Sequence, residues 1–192
     1  MPKAYRIVAA TGLDPGHRAY QQDQLCLIPH RSEPGCLLAV VADGMGGRSG
    51  GRTAAEQVIL TASQLFARYF PYVDSPQETL QRLAHESHLV IRLAAIASED
   101  EPHSTLASVI VNPDGDAHCL HSGDSRIYHF RGKRLLYQSV DHSYVQQLVA
   151  QGELHPEEAA NDPRSNILTS CLGGAQRPHT SFHAIEQTCV DD

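Results

Sequence analysis

Apolar and polar positions along the chain fall into blocks, and the period changes from one block to the next. Arg6 to Ala10 and Leu25 to Ile28 read as short strands. Leu37 to Ala42 is an unbroken apolar run, as expected of a strand buried on both faces. The period then lengthens. Ala55, Val58, Ile59, Ala62, Leu65, Phe66 and Tyr69 repeat at helical spacing, predicting an amphipathic helix over Thr53 to Phe70 that Pro71 stops. Ser75-Pro76-Gln77-Glu78 has the form of a helix start: a capping hydroxyl, a proline at the first turn and a glutamate three residues on. Leu80, Leu83, Ser87, Val90, Ile91 and Ala94 continue one face of that second helix.

Strand patterns return at Leu106 to Val111 and Ala117 to His121, joined by the turn Asn112-Pro113-Asp114-Gly115. Ile127 to Phe130 and Leu135 to Tyr137 flank Arg131-Gly132-Lys133 as a hairpin. Ser143 to Gln151 reads as a short helix that Ser143 caps and Gly152 ends, and Pro156 opens a further turn. Strands and helices come in separate runs, so the class is α+β.

At 192 residues the chain suits one domain, 1–192, with a core of its own. Charged residues are 19% and the formal net charge is -7, with no Lys/Arg cluster, which argues against nucleic acid or an anionic membrane as partner. No apolar run is long enough for a membrane span or a signal-peptide core. Five widely spaced cysteines without a CxxC fit free thiols in a reducing cytoplasm.

Three polar segments stand out as candidate chemistry. Asp43-Gly44-Met45-Gly46-Gly47 follows the apolar strand. A carboxylate on a rigid strand end, with flexible glycines beyond, can offer hard oxygen ligands to Mg²⁺ or Mn²⁺. Alone, Asp-Gly is an ordinary turn. The run fits neither a dinucleotide fingerprint nor a phosphate-binding P-loop. Arg18 offers a planar fork for two phosphate oxygens, and Asp23 lies five residues on. Asp124, in Ser122-Gly123-Asp124-Ser125-Arg126, is a further candidate metal ligand, with a local ion pair to Arg126 as the plain alternative. Twelve histidines include His85 and His88 at a zinc-compatible spacing, but no third ligand accompanies them, so they read as structural or solvated. No Gly-x-Ser-x-Gly elbow supports Ser122 or Ser125 as a nucleophile.

Together these segments resemble the type-2C metal-dependent protein serine/threonine phosphatases of the bacterial branch. The resemblance rests on Arg18-Ala19-Tyr20-Gln21-Gln22-Asp23, Val41-Ala42-Asp43-Gly44-Met45-Gly46-Gly47, Gly123-Asp124-Ser125-Arg126 and Asp141-His142-Ser143, in family order. It implies a sandwich of two mainly antiparallel β-sheets flanked by helices. It also implies hydrolysis of phosphoserine and phosphothreonine in kinase-modified proteins by a metal-activated water. Two Mn²⁺ or Mg²⁺ ions are implied, with a third at Asp124. Asp43 would bridge the pair, the Gly44 carbonyl would bind one, Asp23 would stand near through water, and Arg18 would hold the phosphate. A flap is implied at about 143–164, there to influence substrate choice. Met45 stands where some members carry a histidine proposed as the leaving-group acid, and Gln21 replaces the usual asparagine. The family continues beyond the equivalent of Asp192 into further metal carboxylates. Asp191 and Asp192 match the acidic turn before that strand and are not assigned as ligands. The domain therefore reads as C-terminally incomplete, and the alternative is a non-catalytic or weakly active binding module of the same fold.

Overall fold

The computed structural model describes residues 6–96, 101–186 and 188. Five strands form one antiparallel sheet: β1 (Gln24–Pro29), β2 (Leu37–Ala42), β5 (Leu106–Val111), β6 (Ala117–Ser122) and β9 (Ser181–Ile185), adjacent in that order. Two-stranded pieces complete the β structure: β3 (Gly44–Met45) with β4 (His103–Ser104), and β7 (Tyr128–Arg131) with β8 (Arg134–Gln138). The helices are α1 (Gly47–Phe66), α2 (Pro76–Ile96), α3 (Tyr144–Gln151) and α4 (Pro156–Ala159).

Alternation along the strands decides which face is covered. Leu38, Val40 and Ala42 of β2 point to one side, where Leu106 and Ile110 of β5 and Leu120 of β6 join them. Ala54, Ala55, Val58, Ala62 and Phe66 of α1 and Leu80, Leu83, Ala84 and Ile91 of α2 close over that side as one core. On the opposite face Val41 remains 45% exposed. There the β7–β8 hairpin lies over the β6–β9 end, with the Tyr137 and His183 rings stacked 3.7 Å apart. The α+β, antiparallel architecture agrees with the expectation from sequence, the hairpin supplying the second β layer.

Three differences have physical causes. The strand expected at Arg6 to Ala10 is absent: the segment is non-regular, has no ladder partner among the described residues, and leaves Val8 80% exposed. Its apolar pattern suits a strand, but a strand exists only by pairing. α1 starts six residues before the expected Thr53, within the glycine run, and ends at Phe66 instead of Phe70. β9 went unread; Phe182 packs on the core and its neighbours alternate away from it. Asp191 and Asp192 lie outside the described residues.

Cys36 and Cys119 are buried, Cys26 and Cys171 half-buried, and all four are free. Burial pushes the thiols of Cys26, Cys36 and Cys119 up to about 11. Among the described residues no helix is long and apolar enough to cross a membrane.

Candidate active site

The register of the sheet gathers the candidate residues at one end. Gln24 pairs with Ala42, so the preceding Asp23 and the following Asp43 emerge side by side. Leu106 pairs with Ser122, which brings the Gly123-Asp124 turn to the same end. Asp43 is fastened to β5 beyond its last rung: Thr105 N–H donates to the Asp43 carbonyl (2.9 Å), and Asp43 N–H donates to Thr105 Oγ1 (3.0 Å). Thr105 Oγ1 lies 2.6 Å from Ser125 Oγ, next to Asp124. Gln21 Oε1 accepts from Asp23 N–H (2.9 Å), and Gln22 Nε2 donates to the Gly47 carbonyl (2.7 Å). Gln21 thus orients the Asp23 loop itself.

The glycines serve close approach. A Cβ on Gly44 would sit 1.9 Å from the Gly51 carbonyl oxygen, and Gly46, the N-cap of α1, has φ +112. The first turns of α1 can therefore lie directly against the strand end that carries Asp43.

Electrostatics tie the carboxylates together. The Asp43 carboxyl is raised to about 6, first by burial, then by the charge of Asp23, a hydrogen bond shared with it, and the charge of Asp124; Arg18 opposes the rise. Asp124 stands at the exposed rim, where partial desolvation still raises its carboxyl. Arg18 is exposed. The sequence candidates Arg18, Asp23, Asp43 and Asp124 thus share one site. Among the described residues, however, no three His, Cys, Asp or Glu side chains converge closely enough to hold a metal ion by themselves. Two carboxylates that share a hydrogen bond, with the charge of a third in reach, fit a hard cation whose remaining ligands are water and main-chain oxygen.

Around this site lies a polar frame whose central residues belong to the sequence motifs but whose contacts the sequence did not show. Arg126 makes a two-pronged ion pair with Asp141 (2.7 and 2.6 Å), and its charge also acts to lower the Asp124 carboxyl. His142 Nδ1 accepts from Gly123 N–H (3.2 Å), and its ring stacks on His121 and meets His179 edge-on, both at 4.6 Å. Burial, then the neighbouring His121 and His179, lower His142 to about 4. His88, a zinc candidate by spacing, is buried and accepts from Gly173 N–H (3.1 Å), a structural role. A cavity of about 110 Å³, lined by Gln81, His85, Arg177 and Thr180, lies on the flank of α2 and away from the carboxylates.

A family model described as protein phosphatase 2C matches residues 17–172, from just before Arg18 through Asp43, Asp124 and Asp141. The chain belongs to the protein phosphatase 2C family. Protein phosphatase PhpP of Streptococcus pneumoniae is 31% identical over 154 residues, 79% of this chain and 62% of that relative. The chain thus spans less than two thirds of that relative's length. A serine/threonine phosphatase of S. agalactiae superposes with a TM-score of 0.78 at 26% identity, over 90% of this chain and 71% of that one. The catalytic domain of the phosphatase PstP, whose structure contains two manganese ions, shares the fold at a TM-score of 0.70 and 24% identity, over 87% and 67% of the two chains.

Proposed function

We propose that this protein phosphatase 2C chain is a metal-dependent hydrolase of phosphoserine and phosphothreonine in proteins modified by a serine/threonine kinase. The observation that supports the reading is the pairing of Asp23 with Asp43 at one sheet end, with Asp124 and Arg18 in electrostatic reach. The two manganese ions of PstP support a pair of divalent ions, Mn²⁺ or Mg²⁺, as the cofactor. Such ions, when bound, supply Lewis-acid activation of water and screening of phosphate charge.

The chain's own residues have separable tasks. Asp43 and the Gly44 carbonyl would hold the ions with hard oxygen, Asp23 would reach them through water, and Asp124 would hold a further cation. Arg18, exposed and long, binds two phosphate oxygens through its guanidinium and orients the ester. Met45 carries no transferable proton, so the leaving alkoxide takes its proton from another donor. The region 143–164 is the flap that influences substrate choice. Its α4 has no buried residue and is free to be shaped by a bound peptide.

The test is hydrolysis of a phosphothreonine peptide with and without Mn²⁺. Activity is expected with Mn²⁺, to vanish with EDTA, and to fall to background in Asp43→Ala. Equal turnover in EDTA, or in Asp43→Ala, would overturn the reading. A second reading, a binding module of the same fold, is favoured by the lack of a three-residue metal cluster among the described residues. It expects phosphopeptide binding without turnover, and Mn²⁺-dependent hydrolysis by this chain would reject it.

A further inference from the structure

We infer that Thr105 is the positioning residue of this site: its side chain fixes the Asp43 main chain and holds both chain neighbours of Asp124. The inference rests on the reading of Asp43 and Asp124 as metal-holding carboxylates and adds what sets the distance between them.

The argument begins with register. Val41 lies opposite Ala107, so Asp43 falls opposite Thr105. In an antiparallel ladder a hydrogen-bonded pair exchanges two bonds, each N–H meeting the other residue's carbonyl. Here one bond is normal, from Thr105 N–H to the Asp43 carbonyl. The return bond is not. Asp43 N–H donates to Thr105 Oγ1, while the Thr105 carbonyl accepts from Ser104 Oγ at 2.9 Å. A side-chain hydroxyl has replaced a carbonyl at the rung between the β2–β5 ladder and the β3–β4 pair, which resumes in the same register at Gly44 and Ser104. Asp43 therefore stands at an interruption in the pairing, its main chain held there by the Thr105 hydroxyl.

The same side chain reaches the second carboxylate from two directions. Oγ1 lies 2.6 Å from Ser125 Oγ, on the C-terminal side of Asp124. The methyl group faces Gly123, on the N-terminal side: a Cβ at Gly123 would lie 2.7 Å from Thr105 Cγ2, and Gly123 has φ +102. Thr105 is 0% exposed, so water does not compete for these contacts. His142 Nδ1 fixes the Gly123 N–H. A divalent ion of the Mg²⁺ or Mn²⁺ kind needs its oxygen ligands placed to within a few tenths of an ångström. One buried threonine sets that spacing for Asp43 and Asp124 together.

Two substitutions separate the hydroxyl from the methyl. Thr105→Val keeps the shape and removes the hydroxyl. Thr105→Ser keeps the hydroxyl and removes the methyl. Mn²⁺ affinity would be measured by calorimetry, and amide exchange at Asp43 and amide shifts at Gly123 and Asp124 by NMR on the metal-free protein. Thr105→Val is expected to weaken Mn²⁺ about tenfold or more, as losing an orienting partner of a ligand does. It should also expose the Asp43 amide to exchange and move the Asp124 resonance. Thr105→Ser should rescue all three readings and move only the Gly123 amide, which faces the lost methyl. Equal losses in Val and Ser, or none in either, would show a packing role only and overturn the inference. If the wild-type chain binds no Mn²⁺, the metal reading fails by itself, and the metal-free NMR comparison decides Thr105 alone. If Thr105→Val does not fold, Ser125→Ala breaks only the second contact. It should shift the Asp124 amide and leave the Asp43 amide protected, and an unmoved Asp124 resonance would refute the link.

Discussion

A methyl group at Gly44 would collide with main-chain atoms, the Gly51 carbonyl oxygen at 1.9 Å and the Gln22 carbonyl oxygen at 2.8 Å. Neither can rotate aside as a side-chain tip would. Gly44→Ala is therefore expected to cost about 3 kcal/mol, in the upper range for overpacked sites. Urea unfolding would register this as a lower midpoint at unchanged slope, whereas an unshifted midpoint would mean that α1 yields easily. His142 governs a different property. Its depressed value of about 4, against 6.5 for the ordinary side chain, means that the unfolded chain takes up the proton first as pH falls. The contribution to stability is intact above 6.5, lost progressively between 6.5 and 4, and constant below. Around the ring stand His121, His179, Asp141 and Ser181. Asp43, whose carboxyl is raised, acts in the opposite sense over part of the same window. The readable quantity is therefore the difference between wild type and His142→Asn. The wild type should lose more stability on going from pH 7 to pH 4.5, and parallel curves would remove His142 from the account.

Among the elements, α3 shows most plainly how local chemistry defines its ends. Ser143 Oγ accepts from Gln146 N–H (3.3 Å), and Gly152 closes the helix at φ +76. Val145 and Leu148 anchor its inner side. Ser143→Ala is expected to cost about 1 kcal/mol, the usual value of a lost N-cap. Faster amide exchange confined to the first turn of α3 would show it, and an unchanged exchange pattern would mean that packing alone holds the helix. Elements specified by such local signals were legible in the sequence: α3, the Ser75 start of α2, the Asn112–Gly115 turn, and the strands β2, β5 and β6, although β2, expected to be buried on both faces, is covered on one and leaves Val41 exposed on the other. The neighbourhood of Arg18, Asp23, Asp43 and Asp124 was legible as well, because the four occur in family order and their charges act on one another in the structure. What escaped depends on contacts distant in sequence. Helix propensity opposes glycine, so the first turns of α1 looked like loop until the Gly44–Gly51 approach explained them. Arg6 to Ala10 has the pattern of a strand and, among the described residues, no partner to realise it. Thr105 escaped because its importance lies in where the ladder changes from carbonyl to hydroxyl, and no local pattern encodes that.

At the scale of the whole molecule, the cysteines sit in different layers. Cys26 packs against the helix-covered core, Cys36 lies within it, and Cys119 lies buried on the opposite face, in the electrostatic field of Tyr137. With thiols raised to about 11, very little thiolate exists at pH 8, and alkylating reagents act on thiolate. The folded chain should therefore label slowly at these positions, and opening should set the rate. Pulsed alkylation followed by mass spectrometry then becomes a clock on each layer separately. If the molecule opens as one unit, Cys36 and Cys119 will gain label together along a urea gradient. Should Cys119 label well ahead of Cys36, the hairpin lifts from the sheet as an independent unit, and the three thiols become a built-in set of layer-resolved probes for unfolding in crude lysate, with no dye or tag attached.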